Sequence, residues 1–315
     1  MGIIEEVLTI ELPVGENFRI QRCRYAPKKG EPTKRISVVS GIHGDELEGQ
    51  YVCFLLGKWL REHPDAIKGT IDIYPAINSL GIDSITRSVP FYDVDLNRTF
   101  PGSKNDFLPA QIADGVVDVM RGSDFAIDIH SSNVFLREIP QVRIAKSQEE
   151  ILVPLANLLN IDFVWVHDAV TVLESTFAHA MNTIGTKTLV VEMGVGMRLG
   201  EAYGHQLLDG LLNLMAHEGI LDIAPLDVRF PIQSHVGEVA YLNAACPGLF
   251  VPAIDHCQII KKGSVVGHIV SALSGEVLDE VIAPIAGILF TIRAYPIVYE
   301  GSLLGRIFGE NNEAI

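Results

Sequence analysis

VVSGIHGDELEG, residues 38–49, changes character half-way along. Val38 and Val39 belong to a β-branched apolar run that stops at Ser40-Gly41, the mark of a buried strand reaching its end. His43 and Glu46 follow, three residues apart, with Asp45 and Glu48 beside them. Acidic side chains just after a strand favour the positive end of a helix, so the stretch reads as strand, turn, helix. Its histidine has two readings at this point. Either His43 and Glu46 are ligands of one metal ion, converging because the chain turns between them, or they are a loop histidine and a helix-start acid with no shared task.

The strand–helix pattern recurs. Ile36–Ser40 is expected as a strand and Glu46–Glu62 as a helix, with Leu47, Val52, Leu55, Leu56, Trp59 and Leu60 near helical spacing. Glu46 then falls in the first helical turn. Strands follow at Thr70–Pro75, Phe125–Ile129, Asp162–Val166 and Lys187–Val191, and helices at Gln111–Arg121, Glu149–Leu159 and Tyr203–Glu218. Ahead of them, residues 7–12 and 18–24 read as two strands around a turn at Pro13–Asn17. This alternation predicts an α/β fold: a mostly parallel mixed sheet with helices on both faces.

After Pro225 the texture becomes short β-like runs with regular glycines. We expect an α/β catalytic-type domain over residues 1–225 and a small C-terminal all-β domain over residues 226–315. The tail has an internal echo: Ile260–Ile269 (IIKKGSVVGHI without its first residue) is similar to Val298–Ile307 (VYEGSLLGRI). The shape resembles the half-barrel of biotinyl and lipoyl domains. Those carriers hold their cofactor on a hairpin lysine; the corresponding stretch here, Ser271–Val281, has none, so a structural role is expected.

The bulk numbers narrow the partners. Of 315 residues, 48% are apolar and 20% charged, as in a packed globular protein. With 24 basic and 39 acidic residues the net charge is −15, which disfavours nucleic acid and anionic membranes as partners. Cys23, Cys53, Cys246 and Cys257 form no CxxC pair, which fits a reducing compartment. Met1–Glu6 carries no basic segment before an apolar core, and no apolar run reaches the ~20 residues of a membrane helix. A cytoplasmic location is expected, with a small molecule as main partner; a homo-oligomer is compatible with these numbers.

In open α/β sheets, ligands bind beyond the carboxyl ends of the strands. His43 and Glu46 follow one strand, His130 a second and Glu192 a third, all at the same end of one sheet. Zinc in hydrolases commonly takes three protein ligands, and two histidines with a glutamate is one such set; His43, Glu46 and His130 supply it. Glu192 closes an apolar run, where a carboxylate is costly unless paired or used. Asp128, two residues before His130, shares its strand face and reads either as a support for that histidine or as a structural partner. The other histidines, at positions 63, 167, 179, 205, 217, 235, 256 and 268, lack partners at ligand spacing and read as surface or core residues. Tyr295, beside Pro296 in the tail, reads as a packing residue, with reach to the pocket mouth as the competing reading.

Four ordered segments make the pattern specific: GIHGDE at 41–46, DLNRTFPG at 95–102, DIHSS at 128–132 and VEMG at 191–194. Together they resemble the aspartoacylase and succinylglutamate desuccinylase family, within the zinc carboxypeptidase superfamily. The resemblance covers the α/β part, and the tail is similar to that of bacterial members. It implies one Zn2+ per chain on His43, Glu46 and His130, and Glu192 as general base and later acid. It implies Asn97 and Arg98 as the grip on a substrate carboxylate, a task that suits the planar fork of arginine. It implies an arginine that polarises the scissile carbonyl; Arg87 is the candidate, although it lies farther ahead of Asn97 than in aspartoacylase. For both arginines a solvated charge, or a salt bridge to Asp93 or Asp95, is the competing reading. The implied activity is hydrolysis of the amide bond of a small N-acyl amino acid or a related carboxylate-bearing amide. A metallocarboxypeptidase acting on peptides and a non-catalytic metal- or ligand-binding protein are the alternatives.

Overall fold

The computed structural model describes residues 2–167, 174–234 and 237–309. The chain opens with an antiparallel pair, β1 (Ile3–Glu11) and β2 (Asn17–Tyr25), around the turn at Pro13–Gly15. Then come β3 (Arg35–Ser40), α1 (Glu48–Glu62), β4 (Thr70–Tyr74), α2 (Ser79–Ser84), α3 (Leu108–Met120) and β5 (Phe125–Ser131). The next set is β6 (Leu136–Ala145), α4 (Glu149–Ala156), β7 (Phe163–His167), α5 (Phe177–Thr183), β8 (Lys187–Gly194) and α6 (Glu201–His217). The rest is β: β9 (Ile232–Gln233), β10 (Glu238–Asn243), β11 (Gly248–Pro252), β12 (Gln258–Ile260), β13 (Val265–Val270), β14 (Val277–Ile282), β15 (Gly287–Arg293), β16 (Ile297–Val298) and β17 (Leu303–Gly309).

The centre of the main sheet is the parallel run β4–β3–β5–β8, made by the crossovers the alternating pattern predicted. Helices cover both faces. Leu56 and Leu60 of α1 and Leu207 and Leu211 of α6 bury one side, while Ile112 and Val116 of α3 and Phe177 of α5 bury the other. Fully burying each such side chain contributes about 1.5–3 kcal/mol. These strands carry near-continuous apolar runs because both faces are covered.

The sheet is more mixed than expected, because β6 went unread in the sequence. It runs antiparallel to β8 and parallel to β7, inside the sheet. Pro140 in its middle argues against a central strand. The structure accommodates it at a register shift between Glu138 and Gln141, where the ladder to β8 is already interrupted.

β6 also joins the two parts of the chain. Its start pairs with β15, as in Ile292 opposite Arg137, so the main sheet continues through β15 and β17 to β10. A second sheet, β14–β13–β11–β16, packs its own apolar core of Phe250, Val266 and Ile269 against Leu289 and Ile307. The sequence echo has a structural counterpart. Its first copy begins in β12 of the main sheet and ends in β13 of the second; its second copy begins in β16 of the second and ends in β17 of the main sheet. Both copies turn at a left-handed glycine, Gly263 (φ 83°) and Gly301 (φ 81°), a conformation that costs glycine little.

Candidate metal centre

Beyond Ser40 the chain turns tightly before α1. A Cβ at residue 44 would lie 2.0 Å from the carbonyl carbon of Gly81, so glycine there lets the turn press against α2. His43 and Glu46 both sit in this turn. The expectation that Glu46 lies in the first helical turn is corrected: α1 begins at Glu48. Glu46 must face His43, His130 and the Ser131 amide at once, and the turn aims its carboxylate there before the helix starts.

Glu46 holds both imidazoles, with Oε1 2.8 Å from His43 Nδ1 and Oε2 2.8 Å from His130 Nδ1. The two Nδ1 atoms are 3.2 Å apart, and one ligand atom from each of the three residues lies within 4.8 Å of the others. The far nitrogens are also held: His43 Nε2 is 3.0 Å from Asp95 Oδ1, and His130 Nε2 is 3.0 Å from Asp128 Oδ2. A neutral imidazole that donates from Nε2 keeps its Nδ1 lone pair free. Two such lone pairs and a carboxylate then crowd one buried point, which is the environment a divalent cation resolves, with carboxylates behind the histidines as metal sites require. His43, Glu46 and His130 thus form a buried group able to hold a metal ion.

The electrostatics agree. Burial alone would raise the pKa of Glu46, but His43 and His130 outweigh it and hold the carboxyl well below the usual range. Burial would likewise lower His130, yet Asp128 and Glu46 raise it well above an ordinary histidine. The point is anion-rich, and positive charge is favoured there.

Glu192 lies one strand across, opposite His130 in the parallel register of β5 and β8. Burial raises its pKa, and Arg143, whose Nη1 is 3.2 Å from its Oε1, offsets part of the rise. A cavity of about 580 Å³ is lined by the three metal-site residues, Glu192, Arg87, Asn97 and Arg98. All seven residues singled out from the sequence therefore meet at one cavity.

A search of family models matches residues 32–218 to the catalytic domain of succinylglutamate desuccinylase and aspartoacylase. The chain belongs to this family. Among curated relatives, the N-alpha-acetyl-L-2,4-diaminobutyric acid deacetylase of Halomonas elongata is 34% identical over 115 residues, 36% of this chain and 32% of that protein. Mouse (Mus musculus) aspartoacylase is 38% identical over 71 residues, 22% of this chain and 21% of the relative. The matches thus span about a third or less of these relatives' length. Solved structures match nearly end to end. A succinylglutamate desuccinylase/aspartoacylase from Rhodobacter sphaeroides has a TM-score of 0.81 at 20% identity, covering 99% of this chain and 96% of that one. The product-bound ectoine utilization protein EutE (DoeB) of Ruegeria pomeroyi has a TM-score of 0.82 at 18% identity, covering 98% and 94%. At these identities the likeness shows a shared fold, a large mixed sheet with helices.

The other family motif residues sit as follows. Arg87 bridges Glu46 Oε1 (2.7 Å) and Asp95 Oδ2 (3.2 Å), so the salt bridge to Asp95 is present. Asp95 in turn caps the short helical turn Leu96–Arg98, accepting the Asn97 N–H at 2.8 Å. Asn97 spends its side-chain oxygen on the Phe177 N–H (2.9 Å), leaving its amide NH2 for other partners. Arg98 is exposed, donates to the Asn97 carbonyl at 2.7 Å and makes no salt bridge among the described residues. Asp128 stands behind His130, as one of its two readings had it. His167 and His179, read as surface or core, line the cavity; His235 lies outside the described residues. Tyr295 packs edge-to-face on Phe135, ring centres 5.7 Å apart.

Sequence reasoning missed the wall beyond Glu192. Arg143 joins Glu192 to Glu138 (2.7 Å), and Glu138 is also bound by Arg306 of β17 at 2.6 Å. The signal was weak: three charged residues in apolar strands, two of them in the unread β6. Glu48 is buried and accepts the Gly200 N–H on both oxygens at 2.9 Å. It thereby ties down the loop that follows Glu192. Gly194 makes room for it, since a Cβ there would lie 2.1 Å from Glu48 Oε1.

Proposed function

We propose that the protein is a zinc-dependent hydrolase that cleaves the amide bond of a small N-acyl amino acid or a related carboxylate-bearing amide. The observation that carries this reading is the His43–Glu46–His130 group facing Glu192 across one cavity. His43, Glu46 and His130 would hold one Zn2+, which when bound supplies Lewis acidity at the scissile carbonyl and lowers the pKa of water toward ~7. Glu192 accepts the proton of the attacking water and hands it to the departing amine; its raised pKa suits a group that must do both. Arg87 donates toward the charge that develops on the carbonyl oxygen. Arg98, without a salt bridge of its own, and the free Asn97 amide hold the substrate carboxylate.

The same reading places the enzyme in the cytoplasm, with four free cysteines and, among the described residues, no helix long and apolar enough to cross a membrane. It also treats residues 226–315 as a β domain that closes the cavity wall through Arg306.

Glu192→Gln tests the reading. Zinc content should stay near one per chain while turnover falls about 10²–10⁴-fold; near-normal turnover would remove Glu192 from the mechanism. His43→Ala should lose zinc, and full retention would refute the ligand set.

A further inference from the structure

Behind the cavity wall the strands enclose an amide with nothing to bind. Gln141 of β6 is 0% exposed, and neither its Nε2 nor its Oε1 has a hydrogen-bond partner among the described residues. It is not one of the residues that line the cavity. β6 is an internal strand, so Gln141 has a register partner on each side: Phe163 on β7 and Glu192 on β8. Residues directly opposite in a sheet share a face, with Cβ atoms about 4.5–5.5 Å apart in an antiparallel pair. Along β6 the next residue on that face is Arg143. Phe163 belongs to an apolar cluster with Ile139, Phe290 and Phe308. The polar neighbours of the amide are therefore Glu192 across the ladder and Arg143 two positions on.

Arg143 brings a second open group to the same place. Its Nη1 meets Glu192 Oε1 at 3.2 Å and its Nη2 meets Glu138 Oε2 at 2.7 Å. In the ladder to β8, Arg143 pairs with Val190, Gln141 with Glu192 and Glu138 with Gly194. The guanidinium therefore reaches back along β6 past the Gln141 position. Its Nε is buried without a hydrogen-bond partner among the described residues. Glu192 in turn has one bond from the wall, the 3.2 Å contact to Oε1. One placement of the Gln141 amide satisfies all of these groups. Its carbonyl oxygen accepts from Arg143 Nε–H, and its NH2 donates to Glu192 Oε1. An apolar side chain of similar size would fill the same space without the cost of burying an unpaired amide.

We infer that Gln141 is a positioning residue for Glu192. Its amide links Arg143 Nε to the wall-side oxygen of the Glu192 carboxyl group and so fixes the other oxygen toward the cavity. This inference rests on the proposed function and adds a residue that acts through Glu192. In that function Glu192 is a carboxylate when it takes the proton of water and a carboxylic acid when it hands that proton to the amine. The bond from Arg143 is charge-assisted and weakens when the carboxylate is neutralised. An amide N–H bonds a carboxyl oxygen in either state. Gln141 therefore keeps the carboxyl group aimed through both halves of the proton transfer, which Arg143 alone does not.

Gln141→Met in zinc-loaded protein is the test, since methionine fills the space and removes both polar groups. The substrate is whichever member of a panel of N-acetyl and N-succinyl amino acids the parent uses best. The expected result is a kcat lower by about 10–100-fold with KM within about twofold of the parent. Zinc content should be unchanged, and the thermal midpoint equal or higher, because the variant buries no unpaired amide. Gln141→Asn keeps both groups on a shorter stem and should recover part of kcat. A folded, zinc-loaded Gln141→Met with parental kcat would overturn the inference, because packing alone then accounts for the residue. A crystal structure of the zinc-loaded parent reads the link without turnover and without a variant. Gln141 Nε2 within about 3.2 Å of a Glu192 oxygen supports the inference, and an amide bonded to other partners overturns it. If the parent hydrolyses nothing on the panel, the proposed function fails, and this distance decides the inference by itself.

Discussion

Asp72 and Glu192 are both carboxylates on strands of the main sheet, and their surroundings push them in opposite directions. Asp72, on β4 near the N-terminal edge, is fully buried. Arg24 grips it with two bonds of 2.7 Å, Arg35 adds one of 2.8 Å and Arg22 approaches to 3.5 Å. Burial alone would raise its pKa, but these arginines outweigh the effect and hold it below the usual range. Glu192, on β8 at the cavity, shares one arginine with Glu138, and burial wins. The first carboxylate is saturated and structural. The second is under-compensated, which is what a group that must take up and release a proton needs. The contrast separates functional from structural acids on physical grounds.

The largest effect expected from this comparison is on stability, at Asp72. Asp72→Ala strands three guanidinium groups around a buried gap and should destabilise the fold by about 3–5 kcal/mol, measured by urea unfolding, with zinc content unaltered in the folded fraction. The pH dependence has a definite sign. Because the folded pKa lies below the unfolded value of about 3.9, the contribution of Asp72 is present above that value and is lost as pH falls through the folded pKa. The variant should therefore lose less stability than the parent below about pH 4. Parallel acid-unfolding curves would mean that the arginine cluster is not what stabilises the charged form.

Glu48 comes next. Its carboxylate is the tie between the start of α1 and the loop after Glu192. Glu48→Ala should cost about 1.5–3 kcal/mol, the range for a buried hydrogen bond to a charged group. It should also raise amide exchange at Gly200 and lower kcat more than it raises KM. Unchanged exchange at Gly200 would show that the loop is held by other contacts, such as the Met197 N–H to the Asp45 carbonyl at 2.7 Å.

How much of this was legible depended on what constrains each residue. Metal ligation admits few residue types, and the topology sets them at strand ends, so His43, Glu46, His130 and Glu192 stood out, as did the βα alternation that carries them. The supports behind them are built from common residues far apart in sequence. Asp95 was visible only as an arginine's partner, although it also holds His43 at 3.0 Å. Arg306 reaches Glu138 across 168 positions, which no local pattern announces. β6 was hidden by Pro140, whose cost is absorbed at a register shift that only pairing reveals. Glu46 was placed in the helix because its neighbours favour a helix start, whereas its contacts to His43, His130, Arg87 and the Ser131 N–H hold it in the turn two residues ahead of α1.

Arg143 provides a smaller and more specific effect. Arg143→Leu leaves Glu138 its bond to Arg306 but takes the cation away from Glu192. The acid limb of the kcat/KM profile should move to higher pH, because the charged form of Glu192 loses its partner, and the activity lost on that limb should be recovered in part as pH rises. Arg143→Lys should restore part of the shift. A limb that stays in place would show that Glu192 does not depend on Arg143 for its charge.

The smallest expected change is the most pointed. At Glu192 the folded pKa is raised, so the stability it contributes is present below its unfolded pKa and is lost as pH rises through the folded one. Above the folded pKa the ionised side chain therefore stabilises nothing, and there Glu192→Gln should leave the unfolding free energy within about 1 kcal/mol of the parent, on the side of a gain. Arg143 keeps Glu138 as its partner in that variant, so no arginine is stranded, unlike at Asp72. Thermal unfolding of metal-free protein reads this directly. A loss of several kcal/mol would make Glu192 a second structural carboxylate and erase the difference between the two acids.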